Sequence, residues 1–198
     1  KQVTGDFVVS THIFVSNRTV TGAPSSSFSL GGLMVRTPNG TRDRENYIFL
    51  SAGSADMPGT FQIEMKTTLD GVSALEIVNG AEGEGILQIA RVGNTFVVLV
   101  ADMAGNWYVL NRYVRADMPA TLQVGMTSYA DWDTVSATDL ATYDSTRITW
   151  GAPDLVAFYD YVRFRTPNVA AFGGRDVSDP AAVTDLELID ALGESALR

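Results

Sequence analysis

Apolar and polar residues alternate with period two over much of this chain, and the pattern is densest from Ile86 to Tyr129. There the apolar runs Leu87–Arg91, Phe96–Val100 and Trp107–Leu110 are separated by Gly93-Asn94 and by Ala104-Gly105-Asn106. Glycine and asparagine tolerate the positive φ of tight hairpin turns, so both breaks predict hairpins. A third break, Ala116–Ala120 with Pro119, leads into Leu122–Tyr129. Four consecutive antiparallel strands are expected, with the rest of the chain packed around them.

Before this block, Asp6–Ser16 alternates between Phe7, Val9, Thr11, Ile13 and Val15 on one face and Val8, Ser10, His12 and Phe14 on the other. That is a strand with both faces covered. Asn17–Phe28 is a Ser/Thr/Gly/Pro-rich loop. Gly32–Arg36 is a short strand with Leu33 and Val35 inward and Met34 and Arg36 outward. Thr37–Asn46, carrying Pro38-Asn39-Gly40, is a polar hairpin loop, and Tyr47–Ala52 the return strand. Phe61–Thr68 reads as half-exposed: Phe61, Ile63, Met65 and Thr67 face in, and Gln62, Glu64, Lys66 and Thr68 face out. Asp70-Gly71 is a turn, Leu75–Val78 a short strand, and Asn79–Gly85 a loop of glycine and acid. After Tyr129 the alternation stops for about twenty residues and resumes at Leu155–Arg165.

Near the end, Asp179-Pro180 predicts a helix start. Val183, Leu186, Leu188, Ile189 and Leu192 then follow helical spacing up to Gly193. About ten or eleven strands with one late helix predict an all-β fold, an antiparallel β-sandwich of jelly-roll type with a short C-terminal helix. The expected division is a sandwich over residues 1–166 and an appendage or linker over 167–198.

Composition narrows the chemistry. The 198 residues contain no cysteine, which removes disulfides, thiolate metal sites and cysteine nucleophiles. The net charge is −9, from 14 basic and 23 acidic residues. Such a surface repels nucleic acid and anionic membranes, so neither is an expected partner. No apolar run reaches the ~20 residues that span a bilayer. The start at Lys1, with no leader segment, is read as a processed or excised piece of a longer chain.

Gly32-Leu33-Met34-Val35-Arg36, then Glu45-Asn46-Tyr47-Ile48, then Arg91-Val92-Gly93-Asn94 with Trp107, then Leu122-Gln123-Val124-Gly125 and the closing Val156–Phe164 carry a family resemblance. In this order they resemble the concanavalin A-like lectin/glucanase sandwiches, in particular laminin-G-like bacterial domains of the DUF1349 type, over most of residues 1–166. The resemblance implies a jelly roll whose curved sheet often binds sugars, sometimes hydrolyses them and sometimes has no known ligand; fold alone does not settle which. It also implies a structural calcium in some members. Asp131, Asp133, Asp139, Asp144, Asp154 and Asp160 are spread rather than spaced as a known loop, so they are read as solubilising acids and no cofactor is expected.

Glycoside hydrolysis requires two carboxylates across the scissile bond. The glucanase branch of the resembled family sets them in a Glu-x-Asp-x-(x)-Glu pattern, which this sequence lacks. Glu64 precedes Met65-Lys66, and Glu82-Gly83-Glu84 lies in a turn. These read as solvated surface acids, and no catalytic residue is assigned. His12 is the single histidine, without a partner ligand in the pattern. Asp102 with Trp107 resembles an Asp-box hairpin and reads as structural.

The binding candidates are aromatic and polar. Sugar rings stack on Trp and Tyr, while their hydroxyls pair with Asp, Asn, Gln and Arg. Tyr129, Asp131 and Trp132 cluster where the last strand of the block opens into the long loop. Gln123, Gly125, Thr127 and Tyr129 face out along that strand, whereas Leu122, Val124 and Met126 face in. Arg36, Tyr47 and Trp150 complete the expected ligand set. The expected function is a non-catalytic carbohydrate-binding or adhesion module of a larger extracellular or cell-surface bacterial protein. The alternatives are a glycosidase or polysaccharide lyase with an atypical acid pair, and a protein-interaction domain with no small ligand.

Overall fold

The computed structural model describes residues 1–38 and 44–193, except the side chains of residues 140, 143 and 144. The predicted Asn39-Gly40 turn and the Asp144 carboxylate lie outside the described residues. The strands are β1 (Gln2–Thr4), β2 (Phe7–Ser16), β3 (Ser29–Arg36), β4 (Tyr47–Ser54), β5 (Gln62–Leu69), β6 (Val72–Asn79), β7 (Glu84–Val92), β8 (Thr95–Ala101), β9 (Trp107–Val114), β10 (Thr121–Tyr129) and β11 (Val156–Arg165). They form a six-stranded antiparallel sheet in the order β1-β10-β3-β4-β5-β6 and a five-stranded one in the order β11-β2-β7-β8-β9. The expected two-sheet sandwich is therefore the observed architecture.

The alternation in the sequence builds the core. Leu33, Val35, Ile48, Leu50, Ile63, Met65, Leu122 and Val124 of the larger sheet meet Phe7, Val9, Ile13, Leu87, Ile89, Phe96 and Val98 of the smaller one. Each fully buried aliphatic side chain contributes about 1.5–3 kcal/mol relative to an exposed one, so this layer is the main stabilising term. Asp70-Gly71 forms the expected hairpin turn, with φ of 48° and 79°, the doubly positive pair whose twist matches that of the flanking strands.

The expected run of four neighbouring strands is corrected. β7, β8 and β9 are successive hairpin neighbours, but β10 leaves for the other sheet, where it lies between β1 and β3. Two arginines hold this crossover. Arg91 donates to the carbonyl oxygens of Met118, Pro119 and Ala120. Arg115 donates to Asp117, to the Thr67 hydroxyl and to the Tyr47 carbonyl. Hydrophobic periodicity is the same whichever sheet a strand joins; these side-chain bonds, and Met118 buried beside them, settle the path.

Met126 is a second correction. It has the inward parity expected of it, yet is 57% exposed. β1 pairs only with Thr121–Gln123, so the far half of β10 is a sheet edge and Met126 falls outside the core. The long loop is also less bare than expected: it contains the short helices α1 (Trp132–Val135) and α2 (Leu140–Ser145).

The C-terminal segment packs on the outer face of the five-stranded sheet. Phe172, Val177, Val183, Leu188 and Leu192 join Val8, Ala90, Val92, Val97 and Leu99 in a second core. Helix α3 (Asp185–Leu192) starts five residues later than predicted. Its N-cap is Thr184, whose side chain accepts from the Glu187 amide while Glu187 accepts from the Thr184 amide. This reciprocal capping box displaces the simpler Asp179-Pro180 start. Arg112 donates to the carbonyls of Val177 and Val183 and pairs with Asp185, tying the segment to β9.

Candidate functional site

The register of the six-stranded sheet arranges its outer face in rows. Gln2, Gln123, Arg36, Tyr47 and Thr68 form one row. Gly125, Met34, Phe49 and Lys66 form the next, followed by Thr127, Gly32, Ser51 and Glu64, and then Tyr129, Leu30, Gly53 and Gln62. Every outward position expected on β10 is thus on this face, and Arg36 and Tyr47 join it across the strands. Sequence spacing assigns a side chain to a face; only the register puts Arg36 opposite Gln123.

At the first two rows the face is open. One depression of about 370 Å³ is lined by Met34, Arg36, Thr37, Glu45, Asn46, Tyr47 and Gln123. A neighbouring one of about 570 Å³ is lined by Lys1, Gln2, Met34, Arg36 and the stretch Gln123–Thr127. They share Met34, Arg36 and Gln123 and make one polar groove. Arg36 Nε donates to Gln123 Oε1 at 2.8 Å in its middle. A Cβ on Gly125 would meet nothing within 4 Å, so the floor beside Arg36 is bare and faces open space.

At the last two rows the face is roofed. Gly32, Ser51 and Gly53 are small, and the Tyr129 side chain lies across them to donate its hydroxyl to Glu64 Oε2 at 2.7 Å. Its ring sits 5.6 Å from that of Phe49 and meets Trp132 edge-on at 6.5 Å. Glu64, expected at the solvated surface, is 0% exposed. Lys66 Nζ stands 3.1 Å from Glu64 Oε1 as an ion pair, not as an aligned hydrogen bond, and also lies over the Phe49 and Tyr129 rings. Burial, and secondly the adjacent Glu64 charge, push the Tyr129 phenol well above its usual range, so it stays protonated and donates. The half-exposed reading of β5 is thereby corrected. Its polar side is covered by an aromatic from β10, three strands away in the sheet, a contact that period-two alternation does not encode.

The loop residues divide. Trp132 and Trp150 are 42% and 43% exposed, which leaves indole surface to stack on. Asp131, expected to orient hydroxyls, is 6% exposed and takes the left-handed φ of 53°. Its carboxylate accepts from the Thr134 hydroxyl and the Ala152 amide, and its own amide donates to Ser29 Oγ. It therefore staples the two ends of the long loop to β3. The other loop acids are similarly engaged: Asp133 accepts from Ser27, Asp139 caps α2, and Asp154 accepts from the Arg18 and Ser25 amides, which hold it below the usual carboxylate range. Asp160 faces His12 Nδ1 at 3.6 Å, and Glu84 lies 3.2 Å from His12 Nε2. Among the described residues no group of three or more His, Asp and Glu gathers as a metal site.

The Asp102 carboxylate caps its hairpin as expected, accepting from the Asn106 amide and side chain; Trp107 packs on the second core. A further cavity of about 510 Å³ opens between the sheets beside Ala81, Leu87, Val100 and Leu110. It is apolar and none of the predicted site residues line it. Glu64, Lys66, Phe49 and Met34 are the site residues that sequence reasoning missed. The available signal was the outward parity of Met34, Glu64 and Lys66, read for Glu64 and Lys66 as solvent exposure.

No protein-family model and no curated protein matches the sequence. Solved structures resemble it in fold. A functionally unknown protein from Saccharomyces cerevisiae has a TM-score of 0.60 at 12% identity, covering 84% of this chain and 72% of that one. The GH43 protein BlXynB from Bacillus licheniformis has a TM-score of 0.55 at 12% identity, covering 81% of this chain but 27% of that one. A lectin from Bauhinia forficata in complex with GalNAc has a TM-score of 0.50 at 8% identity, covering 83% and 75%. The fold is that of the concanavalin A-like sandwiches.

Proposed function

We propose that this chain is a non-catalytic carbohydrate-binding module that seats a glycan on the outer face of its six-stranded sheet. The observation that carries this reading is the groove over Arg36, Gln123 and Gly125, on the face whose far end carries Tyr129 and the exposed Trp132 indole packed edge-on against it. A sugar site needs an aromatic platform and a few oriented polar groups, and this face has both. Along β10 the step from Gln123 to Tyr129 is about 20 Å at ~3.4 Å per residue, which suits an oligosaccharide better than one sugar. In this reading Trp132 and Trp150 stack, Arg36, Gln123 and Thr127 hydrogen-bond, Tyr47 closes one end, and Tyr129 serves as the support beneath Trp132.

We also place the module in a larger extracellular bacterial protein of the laminin-G-like, DUF1349 kind. The similarity to 27% of the GH43 protein is consistent with a sandwich joined to other domains. The test is a broad glycan array, followed by calorimetry on wild type, Trp132→Ala and Gln123→Ala, each checked for an unchanged thermal transition. Binding that both substitutions weaken supports the reading; a wild-type protein that binds no glycan ends it.

The enzyme reading rests on Glu64, a carboxylate bonded to a phenol on a sugar-sized face. With no exposed surface, Glu64 meets a substrate only if Tyr129 and Trp132 move aside. Polysaccharide turnover lost in Glu64→Gln would favour that reading.

A further inference from the structure

We propose that the ligand of this groove is an acidic glycan, whose carboxylate or sulfate is taken up by the two terminal amino groups of Arg36; this rests on the glycan-binding reading above. Arg36 and Gln123 are directly opposed in the β3–β10 register. The bond from Nε to Gln123 Oε1 sets the plane of the guanidinium and uses the one donor that points back along the sheet.

Gln123 is its only hydrogen-bond partner among the described residues, and Arg36 lines both depressions of the groove. Four other arginines are arranged differently. Arg91, Arg112, Arg115 and Arg175 each direct two or more side-chain nitrogens at protein acceptors. Arg36 alone of these five is placed as an oriented, exposed fork, and a planar fork matches a carboxylate or sulfate by two parallel hydrogen bonds.

Charge supports the same conclusion. The chain has 23 acidic and 14 basic residues, yet the described residues lining the two depressions include Arg36 and Lys1 against one acid, Glu45. The acid deeper on this face, Glu64, is buried and matched by Lys66. Among the described residues the groove is therefore lined by more basic than acidic side chains on an anionic protein, which favours an anionic ligand there. The bare floor at Gly125 leaves room beside the fork for the ring that carries the acid.

The test is calorimetry with matched pairs: an oligogalacturonate against its methyl ester, and a sulfated galactan against the unsulfated polymer, at low and high salt. The expected result is tighter binding of at least one acidic member by about tenfold or more, falling with salt, with the preferred pair telling carboxylate from sulfate. Arg36→Gln should abolish that preference while leaving the thermal transition in place. Equal binding of the neutral members, or an acid preference that survives Arg36→Gln, would overturn this inference and leave the glycan reading standing. Absence of binding across the whole array would remove both.

Discussion

Removing Lys66 tests the roofed half of the face most directly. In Lys66→Met the apolar stem remains but the ammonium beside Glu64 is lost, leaving a carboxylate with no exposed surface and one remaining partner, the Tyr129 hydroxyl. Breaking a buried pair by deleting one partner typically costs about 3–5 kcal/mol. The Lys66 side chain is 20% exposed and Tyr129 still donates to Glu64, so the expected cost lies at the lower end, about 3 kcal/mol. For a chain of this size that corresponds to a fall of roughly 6–12 °C in the thermal midpoint. Neutralising the partner should restore most of it. The double variant Glu64→Gln, Lys66→Met is expected within about 1 kcal/mol of wild type, since a neutral amide still accepts from Tyr129. Urea unfolding at neutral pH, with the slope unchanged between variants, measures all three. A cost under about 1 kcal/mol for Lys66→Met, or a double variant no more stable than the single one, would refute a buried charged Glu64.

The C-terminal segment offers two further predictions. Leu188 is fully buried in the second core, and Leu188→Ala should cost about 2–5 kcal/mol and expose Trp107, read as a shift in its fluorescence on unfolding. Glu187 is held down to about 2, first by the Thr184 amide and then by Arg175, from an ordinary value of 4.5. Its folded-state value is depressed, so its contribution is present above about pH 4.5 and is lost as pH falls towards 2; Glu187→Gln should flatten the acid limb of the stability curve in that window, and an unchanged limb would contradict the capping box.

Much of the architecture was legible because it is local. Period-two alternation correctly assigned Leu33, Val35, Ile63, Met65, Leu122 and Val124 to the core, and Arg36, Gln123 and Thr127 to the opposite face. Asp70-Gly71 marked its turn by the backbone angles it tolerates. What each face meets was not legible. Glu64 and Gln123 carry the same outward parity, yet one is covered by Tyr129 and the other lines an open groove. Asp131 and Trp132 are adjacent in sequence, yet one is buried as a staple and the other is 42% exposed. Alternation along a strand reports which side a residue takes. Whether that side is wet depends on strands and loops brought over it by pairing across dozens of residues, and no local pattern records that pairing.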